Sequence, residues 1–261
     1  MKQALWQQEI RRIVLAAGLL LALLPLPDAA RAAPPAPFVM GTDADEATLH
    51  GKWFRRIYAE AFRRLDIPLE FAVYPLARLG VLADQGDIDG EALRVHGYGA
   101  AHPNLVRVEE SAIENRLALY TANPALSLNR LEDLASSRLT VEYRRGVAIC
   151  LKFLGPLFPP ERIADVTTTG QGLRKLVAGR MDLYCDFDLA VQSALYSHEL
   201  ADLGPFRKAI DLGEPIPLYP YLHRKNAALA PRLADTLGKM KAEGLIERYR
   251  IEAEKEPGRA R

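Results

Sequence analysis

The chain has 261 residues, 34 of them lysine or arginine and 33 aspartate or glutamate, and 49% of it is hydrophobic. A nearly neutral chain argues against nucleic acid or an anionic membrane surface as partner. The two cysteines, Cys150 and Cys185, are too few for a disulfide scaffold and lack the C-x-x-C spacing of metal or redox sites.

The first element is a leader. Lys2, Arg11 and Arg12 form a basic start, residues 13–26 are almost wholly apolar, and Ala30-Arg31-Ala32 supplies small residues at the positions a signal peptidase reads. The apolar run is about 14 residues, short of the roughly 20 that span a bilayer. A cleaved leader over 1–32 is therefore expected, and with it export to the periplasm. Its removal takes away Lys2, Arg11, Arg12 and Arg31 with Glu9 and Asp28, leaving 229 residues with 30 basic and 31 acidic groups. That length suits one domain or two lobes. Both cysteines lie in apolar stretches and read as two buried thiols; one disulfide is the alternative that an exported chain permits.

After the proline-rich lead-in, residues 38–40 read as a strand. Leu49, Trp53, Ile57, Ala61 and Leu65 then recur every four residues with arginines between them, which predicts a helix with one buried face. A strand over 69–74, a helix over 76–85 ended by Gly86, and a strand over 88–95 follow. This alternation predicts an α/β layer with a mostly parallel sheet. The second half repeats it: helix 131–136, strand 139–143, helix 147–153, strand 165–168, helix 172–178, strand 181–187 and helix 189–196. A long helix over 231–249 closes the chain, with Pro231 at its start.

Leu82, Gly86, Asp87, Ile88 and Asp89 make a helix end, a glycine turn and a strand entry. Leu176, Gly179, Arg180, Met181 and Asp182 repeat that design further along. Two such units imply two lobes: 33–123 with 214–261, and 124–213. Crossings are expected at Asn123-Pro124 and in the proline-rich stretch 213–221. Two crossings make a hinge, and the cleft between lobes is a natural ligand site.

Four stretches in order carry a family resemblance: Gly86-Asp87-Ile88-Asp89; Leu131-Glu132-Asp133-Leu134 with Leu139-Thr140-Val141 and Gly146; Leu176 to Asp182; and Met240 to Ile246. Together the chain resembles the bacterial extracellular solute-binding proteins of family 3, of the type 2 periplasmic binding fold. The resemblance implies two α/β lobes, a small amino-acid-like ligand with a carboxylate, and an inner-membrane ABC importer or a receptor as partner. It implies no cofactor, and a monomer is expected. The chain departs from amino-acid-binding members at two places. Thr42-Asp43-Ala44-Asp45 stands where they carry an aromatic residue, and Ala100-Ala101-His102-Pro103 where they carry Thr-x-x-Arg.

Candidate binding residues follow from position. Arg94 lies late in a strand, where open α/β sheets bind ligands, and an arginine there is suited to grip a carboxylate by two bonds. It is the expected main anchor; pairing with Glu91 is the alternative. Tyr74 and Arg78, on either side of Pro75, are candidates for the same cleft; for Arg78 the rival role is a solvated helix charge. Arg145 with Gly146 opens a helix, a place that attracts anions. Asp186 or Asp188 is the candidate for a ligand ammonium group, with helix capping as the rival role. Asp43 and Asp45 follow the first strand and either face the cleft or cap the next helix. Histidines 50, 96, 102, 198 and 223 show no metal-ligand spacing, and no G-x-S-x-G turn or phosphate loop occurs. Two rival functions stand beside solute binding: a ligand-independent partner or sensor subunit, and a dehydratase-like enzyme on the same scaffold using Glu91 and Arg94.

Overall fold

The computed structural model describes residues 36–195, 200 and 202–256. The leader over 1–32, the end of the helix expected to reach Tyr196, and His198 lie outside the described residues.

Two sheets organise the chain. The first contains β1 (Phe38–Thr42), β2 (Leu69–Val73), β3 (Gly90–Val95), β4 (Leu105–Arg107), β5 (Ile113–Asn115) and β11 (Ile216–His223). Its order is β2-β1-β3-β11-β4, with β5 also on β11. β1 is parallel to both neighbours, and β11 runs antiparallel to β3, β4 and β5. The second contains β6 (Leu117–Thr121), β7 (Val141–Arg144), β8 (Ile163–Val166), β9 (Leu183–Phe187) and β10 (Arg207–Asp211) in the order β10-β6-β9-β7-β8. Each sheet is mixed, not mostly parallel as expected: a parallel β-α-β portion is extended by antiparallel strands, and helices cover it as the alternating pattern predicts.

Helix α1 (Leu49–Arg64) shows why the first lobe holds. Thr48 caps it, its Oγ1 accepting from Gly51 N–H at 3.0 Å. The four-residue spacing places Trp53, Ile57, Tyr58, Ala61 and Phe62 on one buried face, with Ile57, Tyr58, Ala61 and Phe62 fully enclosed. Burying one such aliphatic or aromatic side chain is worth about 1.5–3 kcal/mol. Trp53 Nε1 donates to the Ile246 carbonyl at 2.9 Å, which fixes the last helices on α1. Those are α6 (Ala230–Ala242) and α7 (Leu245–Lys255). The single helix expected over 231–249 is thus two, with Gly244 between them.

Three expectations are corrected. Leu117–Thr121 pairs with β9 and β10, so the chain leaves the first sheet at Arg116, not at Asn123. The return runs through 212–215, and most of the proline-rich stretch is strand β11 at the middle of the first sheet. Pro220 lacks an N–H, and the register of β11 on β3 shifts between Tyr219 and Tyr221 to accommodate it. Third, Cys150 and Cys185 are not free thiols: they form a disulfide with Cα atoms 6.3 Å apart. It ties α3 (Ile149–Leu154) to β9 inside the second lobe.

Candidate functional site

The two lobes face each other across a cleft of about 800 Å³. Phe54, Leu93, Val95, Phe187, Ile216 and Leu218 give it apolar walls, and Asp43, Arg94, Arg144 and Lys152 are the charged groups of its lining.

Arg94 reaches the cleft, as its place late in β3 predicts, but most of its donors are taken. Nε donates to Glu91 Oε2 at 2.6 Å and Nη2 to the Leu76 carbonyl at 2.6 Å. Its guanidinium lies 4.5 Å from the Tyr98 ring centre. Glu91 is 1% exposed, and its Oε1 has no hydrogen-bond partner among the described residues. The Glu91 pairing weighed from the sequence is therefore present, and it leaves Nη1 as the part of the fork outside these bonds.

The residue at the centre of the site is Arg144, one position before the candidate Arg145. Arg144 closes β7 and is 8% exposed. Its Nε donates to Asp186 at 3.1 Å, and its Nη1 donates to Asp43 Oδ2, across the cleft from the first lobe. Burial alone would lower its pKa, yet the carboxylates of Asp186 and Asp43 hold it above its ordinary value. Desolvation of Asp43 is likewise outweighed by Arg144, and its carboxyl lies below the usual range. Arg145 points away; its Nε donates to Asp165 at 2.9 Å and its side chain is 55% exposed.

Asp186 is fully buried. It accepts from Thr169 Oγ1 at 2.7 Å, Tyr184 hydroxyl at 2.8 Å and Phe187 N–H at 2.8 Å, besides Arg144. Its place is behind Arg144, not on the cleft wall. Asp188 accepts from the Tyr120 hydroxyl and Lys208 Nζ beside a separate depression of about 360 Å³ within the second lobe. Arg78 is exposed over the Tyr74 ring at 4.9 Å, and neither lines the cleft. Gly146 does line it and marks where the lobes touch. Its φ is +92°, and a Cβ there would sit 2.9 Å from Ala77 N.

The β1–α1 loop brings Asp43 to Arg144. Thr48 takes the helix-cap role, and Asp45 Oδ1 accepts from Ala47 N–H at 2.8 Å within the loop. Gly51 lets the loop lie on the helix: a Cβ there would meet the Asp45 carbonyl at 1.8 Å. His50, in the first turn of α1, lines the cleft at 7% exposure. Its ring stacks on Phe54 at 5.1 Å, its backbone N–H donates to Ser193 Oγ of the other lobe at 3.1 Å, and its Nε2 has no partner among the described residues. Burial pushes its pKa down to about 3, so it is neutral at pH 7. His96 and His102 also line the cleft. Their spacing in the chain gives no sign of this, because three separate elements deliver the three rings. Among the described residues, no group of three metal-ligating side chains comes together.

A protein of Shewanella oneidensis, itself uncharacterised, is 33% identical over 206 residues, covering 79% of this chain and 77% of that one. The chain belongs to the same family as this protein. No family model matches the chain. Among solved structures, an ancestral arginine-binding protein bound to arginine superposes with a TM-score of 0.67 at 15% identity, covering 83% of this chain and 97% of that one. A histidine kinase sensor domain with similarity to periplasmic binding proteins gives 0.68 at 15%, covering 83% and 95%. A substrate-binding protein of an amino acid ABC transporter from Streptococcus pneumoniae, bound to L-arginine, gives 0.68 at 12%, covering 86% and 97%. The fold is that of the two-lobed periplasmic binding proteins.

Proposed function

We propose that the protein is an exported solute-binding protein, a divergent relative of solute-binding family 3, that closes on a small carboxylate-bearing ligand. The observation that carries this reading is the interlobe cleft with an arginine on each facing wall, Arg94 and Arg144. An anion held between two lobes trades one hydration shell for donors from both sides, and apolar walls strengthen those contacts by excluding water. Binding energy of that kind favours the closed form only because both lobes contribute to it. Lobe one spans the first sheet and lobe two the second, with the hinge at Arg116 and 212–215. The ligand is passed to an inner-membrane ABC importer or read by a sensor, settings of two proteins of similar fold. The reading is of binding without catalysis: Glu91 and Arg94, the pair that the dehydratase-like rival would use, are tied to each other as a buried ion pair.

A thermal-shift screen of small carboxylates against the mature chain tests it. A ligand at 100 times its Kd stabilises by about 2.7 kcal/mol. Small-angle scattering of that complex should show a radius of gyration no larger than that of the free protein. A collection of carboxylates that leaves the melting temperature unmoved at millimolar concentration refutes the reading. Intact mass of the exported protein tests the leader: a product that retains Met1 to Arg31 refutes cleavage.

A further inference from the structure

The two carboxylates on Arg144 are not equivalent. Asp186 is 0% exposed and locked by Thr169, Tyr184 and the Phe187 N–H as well as by Arg144. It cannot turn towards a ligand without breaking three other bonds. Asp43 belongs to the opposite lobe, sits on a loop, keeps 28% of its side chain open, and meets Arg144 through one nitrogen. A single bond from a part-open carboxylate is the one that a second carboxylate displaces most easily. Arg144 keeps one carboxylate on its cleft side after the exchange, and the released Asp43 regains water at the cleft surface.

The rest of the lining sets the ligand class. Asp43 is the only acid among the described lining residues, facing Arg94, Arg144 and Lys152. Glu91 and Asp186 are buried behind their arginines. The walls are mainly apolar, and about 800 Å³ falls in the upper part of the range for pockets that take drug-sized molecules. A polar amino acid would leave much of that apolar wall uncovered.

We propose that Asp43 is an internal competitor: its carboxylate occupies on Arg144 the place that the carboxylate of an amphipathic, apolar-bodied solute takes on binding. This rests on the solute-binding reading and narrows its ligand to apolar-bodied monocarboxylates. Those are aryl-alkanoates or medium-chain fatty acids, in contrast to the arginine bound by proteins of similar fold. It also gives Asp43 a sign opposite to that of a direct ligand contact.

Calorimetry on the mature protein decides it, with 3-phenylpropanoate and octanoate as one probe set and arginine and glutamine as the other. The first set is expected to bind and the second not. Asp43→Asn is expected to tighten monocarboxylate binding about tenfold, ~1.4 kcal/mol. Arg144→Gln is expected to weaken it at least 30-fold and to abolish the gain from Asp43→Asn in the double variant. Should Arg144→Gln fail to fold, the sign of Asp43→Asn alone carries the test. Unchanged or weaker binding in Asp43→Asn overturns the competitor role. Tighter binding of arginine or glutamine than of either monocarboxylate overturns the ligand class and leaves the solute-binding reading standing. No binding from either set overturns the ligand class; the broader carboxylate screen then decides the solute-binding reading separately.

Discussion

His50 should make the protein acid-sensitive in a window where few other groups titrate. The ring is 7% exposed, stacked on Phe54, and lacks a partner at Nε2. Burial lowers its pKa from 6.5 to about 3; the Asp43 carboxylate opposes the shift and Arg144 adds to it. The unfolded chain therefore takes up a proton near pH 6.5 that the folded chain refuses until about pH 3. Stability from this group is complete above pH 6.5 and is lost as pH falls through that window. At pH 5 the difference is about 1.5 pH units at 1.36 kcal/mol each, roughly 2 kcal/mol. Ordinary carboxylates are still mostly ionised there, so they add little. Urea unfolding at pH 7, 6 and 5 measures it, and His50→Gln, which cannot titrate, should fall by about 2 kcal/mol less than the parent between pH 7 and pH 5. Equal losses in parent and variant would refute the buried, neutral histidine.

Removing the Cys150–Cys185 disulfide opens a loop of 35 residues, which should cost about 4 kcal/mol by the chain-entropy relation; the double serine variant, unfolded in urea, checks it, and an unchanged midpoint would mean the bond is absent. Arg94→Ala should cost about 3–5 kcal/mol of stability, because it strands Glu91 at 1% exposure. Adding Glu91→Gln should recover a large part of that loss in the same urea titration, and a lone Arg94→Ala as stable as the parent would show the pair to be weak. Gly146→Ala places a Cβ 2.9 Å from Ala77 N at a φ of +92°, a conformation that costs an L-residue roughly 1–2 kcal/mol. The variant should melt lower and scatter with a larger radius of gyration, and an unchanged radius would show that the lobes close without this contact.

Regular periodicity made much of the fold legible. The four-residue repeat of Trp53, Ile57 and Ala61 is the buried face of α1. The helix from Leu76 to Gln85 ends at Gly86 as its glycine signals. Strand β11 was not legible, because Pro217 and Pro220 imitate a linker. They are tolerated where a ladder bond is missing or the register shifts, and neither condition has a local signature. The disulfide was one of two readings open from the sequence: Cys150 and Cys185 come together only when α3 packs on β9. Such long-range pairings belong to the tertiary fold.

The site itself turns on a choice between adjacent residues. Arg144 and Arg145 carry the same chemistry, but successive side chains along an extended segment point to opposite faces. β7 pairs Arg144 with Val166 and Tyr143 with Cys185, and this register turns Arg144 towards the buried Asp186. Arg145 is left on the outer side with Asp165. Nothing in Arg144-Arg145-Gly146 alone says which arginine faces inward; the alternation is fixed only by its pairing with β8 and β9. Asp43 shows the same dependence at longer range. The β1–α1 loop fixes only its local conformation, and its partner lies 101 positions away on the other lobe. The chemistry of the cleft therefore lies in pairings between sheets and between lobes. Substitutions at Asp43, Arg144 and Gly146 test those pairings more directly than changes at the candidates Arg78, Tyr74 and Arg145, which the fold turns away from the cleft.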